Sequence, residues 1–185
     1  MNAPPTHLVL MGVAGSGKST VAQHVLARVE LPFAEADEFH PEANVEKMSA
    51  GTPLTDEDRA PWLTAIRDWL SEQADGGRSA LVTCSALRRA YRDRLRTAHG
   101  HLVFVHLSGE RSLLEDRITR RSGHFMKPEM LTSQLDTLER LEDDEDGIVL
   151  DVALSPDQIT ERVLMLLDRD HPDHPDDADS GREGR

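Results

Sequence analysis

Nine residues near the N-terminus, GVAGSGKST at positions 12–20, combine the residue types that proteins use to bind phosphate. Gly12, Gly17, Lys18 and Ser19 have the spacing Gly-x-x-x-x-Gly-Lys-Ser of a P-loop. Glycines let the backbone curl until several N–H groups point inward, and these groups bind phosphate oxygens together with the N-terminus of the next helix. The lysine adds a mobile positive charge, and the serine hydroxyl is a typical ligand of Mg²⁺. The stretch predicts a site for ATP and Mg²⁺.

The sequence around the motif agrees with this interpretation, because an apolar run at 7–11 precedes it and a segment with helical apolar spacing follows it. A P-loop occurs in motors, in GTPase switches and in small-molecule kinases. The chain has no Asn-Lys-x-Asp motif to read guanine and no length to spare for a mechanical domain, so a small kinase is favoured. The residues expected at the nucleotide are Gly12, Val13, Ala14, Gly15, Ser16, Gly17, Lys18, Ser19 and Thr20, with Lys18 also catalytic and Ser19 the metal ligand.

A second and longer motif carries a family resemblance. Residues 37–63, DEFHPEANVEKMSAGTPLTDEDRAPWL, together with 84–96 and 117–139, resemble the gluconokinases, P-loop enzymes that phosphorylate D-gluconate with ATP. The likeness extends over about residues 7–165. The family pattern is matched at Asp37, His40, Asn44, Lys47, Met48, Gly51, Pro53, Leu54, Asp56, Asp58, Arg59, Pro61, Trp62 and Leu63. Glu35 departs from it where the family often has aspartate, and Arg88 stands where lysine is usual.

The resemblance implies an acceptor with a carboxylate, several secondary hydroxyls and one primary hydroxyl that receives the phosphoryl group. Asp37 ends the second candidate strand, which we expect beside the P-loop strand, at the edge where open α/β sheets bind ligands, and it is the candidate base or hydroxyl-orienting group. Arginines would hold the carboxylate, and Arg88 and Arg92 are spaced to share a helix face. The candidate acceptor residues are Asp37, His40, Asn44, Arg59, Arg88, Arg92 and Gln134. For each, a helix cap, a packed side chain or an exposed charge is the structural alternative.

Two further arginines, Arg117 and Arg121, are spaced i, i+4 just before the loop SGHFMK. In the kinases that this chain resembles, the corresponding helix and loop form a lid over the phosphates, here about 117–138. Phosphoryl transfer depends mainly on alignment and charge stabilisation, and a closing lid supplies both while expelling water. Arg121 is the candidate catalytic group at the transferring phosphate, and Arg117 is expected at the nucleotide. The alternative is a helix end whose basic residues complement the helix dipole.

The elements that would position these residues alternate between apolar strands and helices about five times. Candidate strands fall at 7–11, 31–37, 79–86, 102–108 and 148–153. Strands that are apolar on both faces indicate a parallel sheet covered by helices on both sides. We therefore expect an α/β fold, a P-loop three-layer sandwich with a five-stranded parallel sheet, nucleoside- and shikimate-kinase-like, with a small helical lid. Residues 1–6 are expected to be a flexible leader, 7–167 one kinase domain and 168–185 a disordered tail; the acidic run 142–146 is expected to be solvated.

The bulk composition excludes several classes of protein. The 185 residues suit one domain, and the proportions of 38% hydrophobic and 30% charged residues are typical of a globular chain. The net charge of −13 argues against a nucleic-acid binder. No apolar run approaches the roughly 20 residues that cross a bilayer, so no membrane partner is expected. The single cysteine, Cys84, is expected to be buried and fits the reducing cytoplasm.

The sequence thus favours phosphorylation of D-gluconate at its 6-hydroxyl to give 6-phospho-D-gluconate. A shikimate-kinase-like phosphotransferase acting on another small hydroxy acid is the alternative enzyme. A nucleotide-binding regulator without turnover is the alternative from another class. The resemblance also suggests a homodimer.

Overall fold

A five-stranded parallel sheet with strand order β2-β3-β1-β4-β5 forms the centre of the protein. The computed structural model describes residues 4–120 and 128–168. The elements are β1 (Thr6–Met11), α1 (Lys18–Leu26), β2 (Phe33–Glu35), a 3₁₀ turn (Ala36–Phe39), α2 (Glu42–Ser49), α3 (Asp56–Asp75), β3 (Ala80–Thr83), α4 (Arg89–Leu95), β4 (His101–Ser108), α5 (Arg111–Arg120), α6 (Pro128–Thr137), β5 (Gly147–Asp151) and α7 (Pro156–Asp168).

The sheet is buried on both faces, as its apolar strands predict. Leu8 and Leu10 of β1 face a cluster that includes residues of α1 and α7, whereas Val9 and Met11 face a cluster that includes residues of α3 and α4. Successive side chains of a strand point to opposite faces, so one apolar strand contributes to two cores. The three-layer α/β fold predicted from the sequence is confirmed.

The strands differ from their predicted bounds in ways that affect the site. Thr6, which we placed in the leader, begins β1 and is fully buried. β2 ends at Glu35, since the next four residues form the 3₁₀ turn that carries Asp37. The expectation that β2 lies beside β1 is wrong, because β3 separates the two strands. β3 ends at Thr83, and residues 84–88, which we call the acceptor loop, leave the sheet before α4 begins. Ala86 in this loop has φ of 45°, a left-handed conformation that is uncommon outside glycine.

Two helix starts are fixed by reciprocal side-chain caps. The Thr55 hydroxyl accepts from the Asp58 N–H while the Asp58 carboxylate accepts from the Thr55 N–H, which is a capping box at α3. Ser155 and Gln158 make the same exchange at α7. Both caps follow from the sequence spacing and set where the two helices begin.

Part of the predicted organisation lies beyond the described ranges. The leader up to residue 3, the loop 121–127 and the tail after residue 168 are outside them, and Asp168 itself ends α7. Among the helices that the structure describes, none has the length and apolar character needed to span a bilayer.

Candidate active site

The P-loop connects the end of β1 to the start of α1 and curls through glycines with positive φ. The φ angles are 143° at Gly12, 77° at Gly15 and 90° at Gly17. A Cβ atom at Gly12 would lie 2.7 Å from the Leu107 carbonyl oxygen, so no larger residue fits there. The Lys18 ammonium donates to the carbonyl oxygens of Gly12 and Val13, at 3.0 and 3.3 Å. The lysine is thus held over the loop, where a bound phosphate would meet it.

A cavity of about 320 Å³ lies on the β5 side of the P-loop. Its lining combines loop glycines with an apolar wall from the turn between β5 and α7. The lining residues are Gly15, Ser16, Gly17, Thr20, Val21, Arg117, Arg120, Val152, Leu154, Pro156 and Ile159. This shape suits a flat apolar base beside a charged phosphate chain.

Two arginines of α5 line this cavity. Arg117, which the sequence placed at the nucleotide, donates to the Val152 carbonyl oxygen at 2.7 Å. Arg120 also lines the cavity, although sequence reasoning missed it. Its spacing of i, i+3 from Arg117 was the sequence feature that could have revealed it. Arg121, the predicted catalytic arginine, lies outside the described residues.

A second cavity, of about 250 Å³, lies on the opposite side of the P-loop. The loop and the start of α1 form one wall, and the ends of β2 and β3 with a residue of α6 form the other. The lining residues are Ala14, Gly15, Gly17, Lys18, Ser19, Glu35, Asp37, Thr83, Cys84, Ser85 and Gln134. Asp37 therefore faces Lys18 and Ser19 across a small polar space.

Glu35 occupies the position where the family pattern favours aspartate. Its carboxylate accepts a hydrogen bond from the Thr83 hydroxyl of the neighbouring strand, which keeps it at the edge of the cavity. Ser19, Glu35 and Asp37 together present hard oxygen donors, the type that Mg²⁺ binds with phosphate oxygens and water. Among the described residues no group of three His, Cys, Asp or Glu side chains forms a metal site by itself. The donors therefore fit a Mg²⁺ ion that is shared with a nucleotide.

Gln134 joins α6 to the P-loop. Its side-chain carbonyl oxygen accepts from the Ala14 N–H at 2.6 Å. The sequence placed Gln134 near the acceptor, and the structure puts it in the cavity with Asp37. The contact also gives α6 a fixed position beside the phosphate-binding loop.

His40 and Asn44 are held by their neighbours beside the turn that carries Asp37. The His40 ring stacks on Trp62 with centroids 4.5 Å apart and an angle of 10° between the planes. The buried Asn44 amide donates to the Asp58 carbonyl oxygen at 2.8 Å and contacts the His40 ring nitrogen at 3.3 Å. Burial lowers the pKa of His40 against the opposing charge of Asp37, so the ring is neutral near pH 7. Asn44 is thus a packed, buried side chain, which was one of the structural alternatives for it, whereas His40 is only half-buried.

Arg59 and Arg88 flank the ring of Tyr91, at 5.7 and 5.9 Å from its centroid. The Tyr91 hydroxyl donates to Asp56 at 2.6 Å, and Arg88 pairs with the same carboxylate at 3.0 Å. The Tyr91 hydrogen bond, together with the two guanidinium charges, lowers the pKa of Asp56. Burial and the contact with Asp56 raise the pKa of Tyr91. This group, Asp56, Arg59, Arg88 and Tyr91, is called the arginine–tyrosine cluster below.

Arg92 does not lie where the sequence placed it. We expected it beside Arg88 on one helix face, gripping an acceptor carboxylate. Arg88 instead forms the N-cap of α4 with an exposed side chain, and the Arg92 side chain is completely buried and paired with Glu145. Its N–H groups all point to protein oxygens, so none is directed at a ligand. The expectation that the acidic run is solvated is wrong for Glu145, because this residue is buried and its side chain is 0% exposed.

Cys84 is buried as expected. Burial raises the pKa of its thiol to about 12, so it is protonated and unreactive at neutral pH.

The strand order, the P-loop and the acid facing it define the class of protein: the fold and the site are those of a P-loop kinase. A family model described as an AAA domain matches residues 8–141. The chain is similar to the solved, unliganded structure of a sugar kinase from a Janibacter species, at 50% identity and a TM-score of 0.83 over 89% of this chain and 95% of that one. A gluconokinase structure from Sinorhizobium meliloti is 43% identical, with a TM-score of 0.78 over 91% and 94%.

A curated relative supports the same class of protein. The gluconokinase of Gluconobacter oxydans is 49% identical over 164 residues, which are 89% of this chain and 92% of the relative. The chain belongs to the gluconokinase family, and the resemblance identified from its motifs is confirmed.

Proposed function

We propose that this protein transfers the γ-phosphoryl group of ATP to the 6-hydroxyl of D-gluconate and releases 6-phospho-D-gluconate and ADP. The observation that carries this proposal is the polar cavity in which Asp37 faces Lys18 and Ser19 of the P-loop. Family membership supports the choice of acceptor, since the matched relatives are named gluconokinases. The shikimate-kinase-like alternative is not favoured, because no feature of the site or of these relatives points to another hydroxy acid.

ATP would occupy the two cavities that meet at the P-loop. The base would lie in the apolar part near Val152 and Pro156, and the phosphates would lie along residues 12–20. Arg117 and Arg120 of α5 would contact the phosphate chain, which carries several negative charges. Arg121 remains our candidate for the transferring phosphoryl group.

Mg²⁺ would be bound by the Ser19 hydroxyl together with phosphate oxygens, and Glu35 and Asp37 would order its waters. When bound, the ion would neutralise charge on the β- and γ-phosphates. Glu35 is held by Thr83 at the edge of the cavity, which suits a contact through water.

Gluconate would extend from Asp37 towards the arginine–tyrosine cluster. Its primary hydroxyl would lie beside Asp37 and Gln134, and its secondary hydroxyls would reach the half-buried His40. Its carboxylate would bind Arg59 and Arg88, and Arg88 already holds one carboxylate, that of Asp56. Arg88 is 42% exposed, so it can exchange this internal partner for a ligand. Arginine at this position can bind a carboxylate through two N–H groups, which lysine cannot do.

The reaction requires the acceptor hydroxyl to align with the γ-phosphate. Asp37 orients the hydroxyl and accepts its proton as the new oxygen–phosphorus bond forms. The bond to the β-phosphate oxygen breaks, and ADP carries the released charge. Lys18 and the arginines of α5 stabilise charge on the migrating group, in line with the loose transition state of phosphoryl transfer.

The test is ADP release with and without gluconate, next to shikimate and a nucleoside monophosphate. We expect gluconate alone to stimulate release. Asp37→Asn should lower kcat on the order of a hundredfold or more, as removal of a general base does. Glu38→Gln is the matched control, because Glu38 is an exposed acid of the same 3₁₀ turn. ATP binding without stimulation by any acceptor would favour the non-catalytic regulator instead.

We also propose that the enzyme works in the cytoplasm as a homodimer and binds neither nucleic acid nor membranes. The buried thiol of Cys84 suits a reducing compartment, and the net charge of −13 disfavours polyanions. Light scattering of the purified protein measures the oligomeric state, and a monomer at micromolar concentration would overturn that part of the proposal.

A further inference from the structure

We propose that Arg92 and Glu145 are positioning residues that fix the acceptor loop and the end of α6 in one arrangement and thereby determine how tightly the acceptor binds. The inference rests on the proposed function, since it concerns the same acceptor pocket. It gives Arg92 a role at a distance from the ligand, where the sequence suggested a direct contact.

The pair itself is closed to solvent. Both side chains are 0% exposed. Arg92 Nε donates to one Glu145 oxygen at 2.6 Å and Nη2 donates to the other at 2.9 Å, which is the two-point geometry of a strong arginine–carboxylate contact. The Glu142 N–H donates to the same carboxylate at 3.0 Å, so the acidic turn folds around Glu145.

The remaining donors of Arg92 bind backbone carbonyls from two separate segments. Nη1 lies 3.1 Å from the Ala86 oxygen of the acceptor loop and 3.1 Å from the Glu139 oxygen just after α6. Nη2 lies 3.2 Å from the Arg140 oxygen. One guanidinium group therefore joins the acceptor loop, the segment that follows α6 and the acidic turn.

The acceptor loop needs such support. Ala86 has φ of 45°, and a non-glycine residue keeps this conformation only where its surroundings enforce it. The neighbouring Ser85 lines the cavity with Asp37, and its carbonyl oxygen accepts from the Gly12 N–H at 3.3 Å. A shift of Ala86 would therefore move Ser85 at the acceptor pocket first.

The same contacts fix the end of α6. The Glu139 N–H donates to the Leu87 carbonyl oxygen at 2.7 Å, and the Glu139 carboxylate accepts from the Arg89 N–H. Gln134 lies in the last turn of the same helix and accepts from the Ala14 N–H of the P-loop. The Arg92–Glu145 pair thus contacts the acceptor loop directly, and it is connected to the phosphate-binding loop only through α6.

A buried ion pair contributes little net stability compared with well-packed apolar residues, because both charges lose their hydration. What it adds here is a set of directed hydrogen bonds that an apolar pair cannot make. Replacing both residues by apolar ones should therefore preserve folding while relaxing the loop. A folded variant with weaker acceptor binding would distinguish a positioning role from a purely structural one.

The experiment compares three variants with the wild-type enzyme: the double variant Arg92→Met with Glu145→Met, the single variant Arg92→Lys, and the control Arg94→Met. Arg94 is exposed on the same helix and serves as the matched surface change. Steady-state kinetics with gluconate and ATP varied separately give the two KM values, and thermal unfolding reports folding.

We expect the double variant to unfold cooperatively and to raise the KM for gluconate by roughly tenfold or more, since small displacements near a reacting group have large effects. The KM for ATP should change less than twofold, and Arg94→Met should match the wild type. A gluconate KM equal to that of the control, or a parallel rise in both KM values, would overturn the inference.

Amide hydrogen exchange decides the matter if the double variant fails to fold or if the wild type shows no turnover with gluconate. In Arg92→Lys, which keeps a positive charge but cannot form the two-point contact, exchange should accelerate within 84–92 and 138–145 and not in β1 or β4. Uniform acceleration, or none, would contradict the positioning role. Absence of gluconate turnover in the wild type would count against the proposed function alone.

Discussion

Trp62 connects the fold of α3 to the placement of Asp37, the proposed base, and its replacement by phenylalanine is a direct test. Its indole N–H donates to the carbonyl oxygen of Ala36 at 2.7 Å in a buried setting, and Ala36 precedes Asp37 in the 3₁₀ turn. One face of the indole ring stacks on His40. Phenylalanine keeps an aromatic ring but has no donor, so the Ala36 oxygen would be left without this partner.

The magnitude follows from these contacts. A buried acceptor that loses its donor costs about 1–3 kcal/mol. The smaller ring also loses part of an aromatic contact worth about 0.5–1.5 kcal/mol. We therefore expect a loss of about 2–3 kcal/mol in the free energy of unfolding, which for a chain of this size lowers Tm by about 4–12 °C. The turn that carries Asp37 should also loosen, so kcat for gluconate should fall while ATP binding persists.

The assay combines thermal unfolding followed by circular dichroism with gluconate-dependent ADP release. Trp69→Phe is the control, because Trp69 lies in the same helix, is partly buried and contacts Phe39 edge-on with centroids 6.1 Å apart. It should lose less stability and keep its kcat. Equal losses of Tm in the two variants, or unchanged kcat in Trp62→Phe, would refute the connection between this hydrogen bond and Asp37.

Three further predictions address other parts of the site. Gly12→Ala should abolish ATP binding measured by calorimetry, because the new Cβ would lie 2.7 Å from the Leu107 carbonyl oxygen; retained affinity would contradict the tight contact. Gln134→Glu should weaken ATP binding more than Gln134→Leu, since its carboxylate would meet the phosphates at the P-loop; the reverse order would contradict this placement. Burial, with nearby arginine charges, lowers the pKa of His106 to about 4 from 6.5. The unfolded chain therefore takes up this proton first, and stability should fall as pH drops from about 6.5 to 4, less steeply in His106→Phe.

Local patterns in the sequence predicted the parts of the site that are formed by short segments. The P-loop spacing located residues 12–20, and Asp37 was located because it follows a strand of a parallel sheet. The cap formed by Thr55 and Asp58 was visible from their spacing. Each of these features depends on residues within one strand, one turn or one helix end, so a short stretch of sequence is enough to predict it.

The parts that sequence reasoning placed wrongly depend on contacts between distant segments. Arg92 and Glu145 are 53 residues apart, and neither spacing nor composition shows that they meet. The i, i+4 spacing of Arg88 and Arg92 correctly suggests adjacent turns, yet Arg88 caps the helix while Arg92 points into the interior. Glu145 stands in an acidic run, and such runs are usually solvated, so only the fold reveals that it is the buried partner of an arginine.

The strand order explains why the two cavities lie on opposite sides of the P-loop. β1 lies between β3 and β4, so its loop has the ends of β3 and β2 on one side and the ends of β4 and β5 on the other. Thr83 pairs in register with Leu10 of β1 and with Glu35 of β2, which brings the acidic turn and the acceptor loop to the same edge as the P-loop. On the other side, Ser108 pairs with Asp151, which brings the apolar turn after β5 beside α5. In the proposed reaction the γ-phosphate would therefore lie over the end of β1, and a substitution that shifts β1 against β3 would separate Asp37 from the phosphate-binding loop.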